Sequence, residues 1–190
     1  MSTGKITTLL NQASLGDKQV LNDVYQLLYA EIKSIAGFQL KRLNTGQTIT
    51  PTVLAHECYI KLYDSENIAI ENKRHFLNCL ARTMRMFLVD VVRAKSSQKR
   101  KGHVVEGVLT QYVGAEDVSF DLIEINLILN QIEKIDERLA EILQTKLIFN
   151  LTFTEMAAVY EVSERHIMRL WKQAKALLMA MLDNHEKNDD

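Results

Sequence analysis

Helix breakers are scarce in this chain: 190 residues contain one proline, Pro51, and seven glycines. Leu, Ile, Ala, Lys, Glu and Gln abound instead, a bias that favours helix over strand. Hydrophobic residues make up 47 %, the share of an ordinary globular protein, so a packed core is expected rather than disorder. The length suits one domain of ordinary size or two small ones. The expected fold class is all-α.

Periodicity divides the chain. A helical pattern runs from about Lys18 to Leu43, with Val20, Val24, Leu27, Leu28, Ile32, Ile35 and Ala36 at apolar positions. Thr50-Pro51 restarts a helix after Asn44-Thr45-Gly46, the threonine as N-cap and the proline at the first helical position. A third helix, about Lys73 to Ala94, carries an apolar stripe of Phe76, Leu80, Met84, Phe87, Leu88 and Val91. From about Ser96 to Ser119 the period fails and Gly102, Gly107 and Gly114 punctuate the chain. The predicted organisation is a helical bundle over residues 1–97, a flexible linker over 98–120, a second helical domain over 121–185 and a polar tail over 186–190.

Net charge is only −1, yet its distribution is uneven. Between Asn72 and His103 there are Lys73, Arg74, Arg82, Arg85, Arg93, Lys95, Lys99, Arg100 and Lys101 against one acid, Asp90. Between Val104 and Leu143 acids dominate, with Glu106, Glu116, Asp117, Asp121, Glu124, Glu133, Asp136, Glu137 and Glu141 against Lys134 and Arg138. On the third helix Arg74, Asn78, Arg82, Arg85 and Arg93 share one face. A solvated helix face usually mixes signs, so a face of one sign points to an anionic partner such as nucleic acid. The acidic stretch could shield that face, but reads better as a flexible spacer.

In the second half Asp136 caps a helix that ends near Asn150. Thr152-Phe153-Thr154-Glu155 is a capping box opening a short helix to Tyr160. Glu161 and Val162 make a turn, and Ser163 caps a helix with Ile167, Leu170, Trp171, Ala174, Leu177, Leu178 and Met181 at core spacing. Arg165, Arg169, Lys172 and Lys175 are left outward. This is the pattern of a DNA-binding helix-turn-helix. Glu161 stands where glycine commonly makes the turn, and a left-handed backbone there would be strained.

In this order and spacing the segments resemble the extracytoplasmic-function (ECF) sigma factors of bacterial RNA polymerase over nearly the whole chain. Thr52-Val53-Leu54-Ala55-His56-Glu57-Cys58-Tyr59-Ile60-Lys61-Leu62 looks like the helix that grips the polymerase clamp, with Thr52, Leu54, Glu57 and Lys61 as the implied contacts. Arg74-His75-Phe76 through Asp90-Val91-Val92-Arg93 looks like the helix that melts and reads the minus-ten element. The implied DNA contacts there are Lys73, Arg74, Asn78, Arg82, Arg85, Arg93, Lys99 and Arg100. Asp136 to Leu182 looks like sigma domain four, whose helix-turn-helix reads the minus-thirty-five element through Ser163, Arg165, His166, Arg169 and Lys172. The resemblance implies core RNA polymerase and promoter DNA as partners, a stress or envelope regulon, and control by an anti-sigma factor or a kinase. No cofactor and no metal are implied.

One departure stands out. The family usually carries acids just before the clamp-gripping helix, whereas this chain has Thr50-Pro51-Thr52-Val53. Either the interface manages by packing, or phosphorylation of Thr50 or Thr52 supplies the charge, roughly −1.5 to −2 at neutral pH.

Other classes fit less well. His56-Glu57 lacks the second histidine of a zinc protease, and there is no phosphate loop, paired-cysteine metal site or nucleophile elbow. A catalytic role is therefore not expected. A stand-alone helix-turn-helix regulator binding duplex DNA as a dimer would explain Thr152 to Leu182 but not the cationic face of the first half. No apolar run approaches the roughly 20 residues of a membrane span. The first residues lack a secretory pattern and the cysteines, Cys58 and Cys79, are isolated from each other, so the cytoplasm is the expected location.

Overall fold

The computed structural model describes residues 18–43, 49–64, 72–99 and 122–186. Among them are seven helices and no strand. They are α1 (Lys18–Arg42), α2 (Pro51–Asp64), α3 (Lys73–Lys99), α4 (Leu122–Ile135), α5 (Glu137–Phe149), α6 (Phe153–Tyr160) and α7 (Glu164–Glu186). The all-helical expectation holds. No helix of the described residues is long and apolar enough to cross a membrane. Asn44-Thr45-Gly46, Arg100, Lys101 and most of the expected linker lie outside the described residues.

Local chemistry sets the helix ends. The Thr50 hydroxyl accepts from the Val53 amide at 3.2 Å, which caps α2 ahead of Pro51. Asn72 does the same for α3, its Oδ1 accepting from the His75 amide at 2.9 Å. Asp136 caps α5 through the Leu139 amide, and Asn150 closes that helix in the left-handed region at φ 52°. α3 runs on to Lys99, several residues past the expected stop, because nothing before Gly102 breaks it.

The first half is held by a tight crossing of α1 and α2. Gly37 lies where α1 meets the start of α2, and a Cβ there would sit 3.3 Å from Pro51 Cγ. That contact gives a physical reason for a glycine in mid-helix. Tyr25 donates its buried hydroxyl to the Ala55 carbonyl, and its ring packs 5.0 Å from that of Tyr59. Leu27, expected on the apolar stripe, is instead 47 % exposed, because Val24, Leu28, Ile32 and Ile35 carry the buried side of α1.

α3 is the centre of the molecule. Phe76, Leu80, Met84 and Leu88 are buried as their spacing requires. Leu77, Ala81, Val89 and Val92, off that stripe, are buried too. The cause is that α3 packs on α2 on one side and on α4, α5 and α6 on the other, while α1 also touches α5. The two halves therefore share one continuous core. Cys58 lies inside it, and burial pushes its thiol up to about 12. Cys79 is only half-buried, at the seam between the halves.

Thiolate, not thiol, reacts with alkylating agents. Iodoacetamide at about pH 8 is therefore expected to label Cys79 first and to reach Cys58 only on unfolding, as read by intact-mass spectrometry. Equal labelling rates would contradict this packing.

Candidate nucleic-acid interface

Four of the residues expected at the minus-ten element come together on one face of α3, and that face meets the second half of the chain. Arg74 holds Glu141 of α5 with two nitrogens, at 2.8 and 2.5 Å, and lies over the Tyr160 ring. Arg82 pairs with Glu133 of α4 at 2.5 Å. Asn78 Oδ1 accepts from Thr145 Oγ1 at 3.1 Å and from the Tyr160 hydroxyl at 3.2 Å. Arg85 donates to Asn126 Oδ1 at 2.6 Å and to Asn130 Oδ1 at 3.3 Å.

Arg85 is the least ordinary of these. Only 3 % of it is exposed, and burial lowers its guanidinium to about 10. Its partners are amide oxygens, with Glu133 acting at longer range. Its Nε finds no hydrogen-bond partner among the described residues, and neither does Asn78 Nδ2. Polar groups buried in this way are held at a cost.

Lys73 is half-buried at the start of α3, and Arg93 is exposed. Lys99 is the last residue of α3, and Arg100 lies outside the described residues.

The helix-turn-helix forms as its sequence predicts. Thr152 and Glu155 complete the capping box of α6, and the Ser163 hydroxyl accepts from the His166 amide at 3.2 Å at the head of α7. Glu161 makes the turn in the left-handed region, at φ 54° and ψ 42°. Arg165, Arg169 and Lys172 are exposed on the outer face of α7. His166 sits between two guanidinium groups, 3.2 Å from Arg138 and 3.1 Å from Arg169. A neutral imidazole has a single accepting nitrogen, so it satisfies one of them at a time. Arg138 thus joins the cationic head of α7 from α5; in sequence it stands among acids, and only the fold brings it here.

α2 presents a third surface. Thr52 and Lys61 are exposed, with Lys61 Nζ 5.9 Å from the Phe87 ring centre, and Glu57 is half-buried. Leu54 is fully buried against the core, so it anchors the helix rather than facing a partner. Val53, Ile60 and Tyr63 are exposed apolar residues of the same helix. Their i, i+7, i+10 spacing was a readable second stripe, missed because the buried stripe of the helix explains its amphipathicity alone.

A family model described as ECF sigma factor matches residues 3–184. The chain belongs to the ECF sigma factor family. No curated protein and no solved structure matches it. As an ECF sigma factor it is a DNA-binding transcription initiation factor that works with core RNA polymerase at promoters, in a family whose members are not enzymes. Among the described residues, no group of three His, Cys, Asp or Glu side chains is placed to hold a metal ion.

A glutamate at φ 54° is disfavoured by its Cβ. Glu161→Gly in this sigma factor is expected to raise stability by about 0.5–1 kcal/mol in urea titration, the relief of strain being partly offset by the flexibility of glycine when unfolded. A loss of stability would show that the Glu161 side chain contributes contacts which outweigh the strain.

Proposed function

We propose that three faces of the chain divide the work of promoter recognition. The outer face of α2 docks on the polymerase clamp. The cationic face of α3, with Arg74, Asn78, Arg82 and Arg85, receives the separated strand of the minus-ten element, with Lys73, Arg93, Lys99 and Arg100 extending the contact to phosphates. The head of α7, with Ser163, Arg165, His166, Arg169 and Lys172, enters the major groove at the minus-thirty-five element. The observation that carries this reading is the separation of chemistries: an exposed face with apolar residues on α2, distinct from both cationic faces. The promoters served are those of a stress or envelope regulon, and the protein acts in the cytoplasm.

Control by phosphorylation is part of the same reading. The first turn of α2 contains no acid. Thr50 spends its hydroxyl on the cap, whereas Thr52 is exposed one residue into the helix. A phosphate on Thr52 would add the missing negative charge at a helix N-terminus, where backbone dipoles favour it by about 0.3–1 kcal/mol. A serine/threonine kinase is the partner this chemistry requires. An anti-sigma factor covering α2 is the competing form of control.

The test is run-off transcription with purified core polymerase on a promoter library. Start sites are expected only when this protein is present, with Thr52→Glu more active than wild type and Thr52→Ala unresponsive to kinase. Normal transcription by Thr52→Ala would remove the phosphorylation switch. Silence of every form, with a duplex-DNA shift by a wild-type dimer, would favour a stand-alone regulator.

A further inference from the structure

The cationic head of α7 carries an exposed apolar residue. Met168 is 41 % exposed, and the helix seats its core without it, through Ile167, Leu170, Trp171, Ala174 and Leu178. We propose that Met168 is a base-reading residue whose thioether side chain packs on the C5-methyl group of a thymine in the major groove of the minus-thirty-five element. The inference rests on the reading of the α7 head as the duplex-binding face.

Helix geometry puts Met168 on that face. Residues three and four apart are neighbours on a helix surface, so Met168 lies between Arg165 and Lys172. Both of these are exposed. α7 begins at Glu164, which places Met168 in its second turn, within the N-terminal part that a helix-turn-helix lays against base edges.

Other polar neighbours are drawn aside. Glu164, the acid four residues back, accepts from Thr154 Oγ1 of α6 at 2.8 Å. A guanidinium nitrogen of Arg169 lies 3.1 Å from His166 Nδ1. His166 and Met168 are two residues apart and so do not share a helix side. What remains around Met168 is an apolar spot bordered by cations.

The chemistry of the spot selects one base. In the major groove thymine presents a methyl group, which the other three bases lack. Cytosine presents an amino donor, and the purines present donors and acceptors. Against a thioether those polar groups would lose water and gain no strong partner. The unbranched methionine chain adapts readily to the shape of a methyl group. Arg165 and Lys172 can reach phosphates in any sequence. Met168 carries no charge, so it adds nothing to sequence-independent attraction, and a base contact gives it a role on this face.

The experiment titrates holoenzyme, assembled from core polymerase and the full chain, against promoter duplexes recovered from the run-off library at one fixed salt concentration. Thymines of the minus-thirty-five element are replaced one at a time by deoxyuridine, which removes the methyl group alone. For the wild type, one replacement is expected to weaken binding by about fourfold, the worth of one buried methyl group. Met168→Ala is expected to bind the thymine and deoxyuridine forms equally at that position. An element without thymine, a wild type indifferent to every replacement, or a Met168→Ala protein that still senses the methyl group overturns the proposal. Arg165→Ala combined with Arg169→Ala tests the underlying reading separately. If that double variant binds every duplex more weakly while Met168 proves indifferent to the methyl group, the α7 head stands as the duplex-binding face and only the methyl contact is removed. Undiminished binding by the double variant would remove the face itself, and the role of Met168 with it.

Discussion

A guanidinium held in the interior by two asparagine side chains is the contact on which the arrangement of this molecule turns. Arg85 reaches out of α3 into α4, and around it Arg74, Asn78 and Arg82 reach into α4, α5 and α6. Gln39 of α1 adds two bonds to the carbonyls of Leu147 and Ile148, at 3.1 and 2.7 Å, satisfying groups that the end of α5 leaves open. The apolar part of the seam, where Leu43 and Leu88 meet Leu122, Ile125 and Leu129, supplies the non-directional attraction. The polar part decides the register. A seam made this way closes in one orientation and still leaves groups that another partner can satisfy better.

Much of the fold was legible because its signals are local. The capping box of Thr152 and Glu155, the Asp136 cap and the Thr50-Pro51 start each depend on residues within one turn of one another. The strained backbone of Glu161 was legible for the same reason: a helix-turn-helix needs a left-handed residue there, and the sequence supplies no glycine. What escaped the sequence is what lies far apart along it. Arg74 and Glu141 are separated by 67 positions, and Arg85 and Asn126 by 41. The basic and acidic blocks were visible, yet which acids meet α3 was not: Glu133 of α4 and Glu141 of α5 do so, and the linker acids lie outside the described residues. Leu77, Ala81, Val89 and Val92 gave a fainter hint: a helix apolar on more than one side expects more than one neighbour.

The three faces are held by the packed core in different ways. α2 is braced by the Tyr25, Tyr59 and Tyr63 ring contacts and by the close approach of Pro51 to Gly37, so its outward residues are presented before any partner arrives. The head of α7 is fixed by its serine cap and by the capping box of α6. α3 is instead covered by α4 and α5. On the proposed assignment, two presented faces and one covered face would give initiation an order, with polymerase contact preceding strand capture. Phosphorylation at Thr52 would act on the first step of that order, at a site remote from the seam.

The most direct measurement of this account is the distance between dyes at positions 64 and 183, placed as Asp64→Cys and Asp183→Cys with Cys79→Ser, followed by single-molecule energy transfer. The account predicts one compact population for the free protein and a shift to longer distance when core polymerase is added. A distance that is the same with and without polymerase would contradict it, because α3 could not then be both covered in the free chain and open to DNA in the complex.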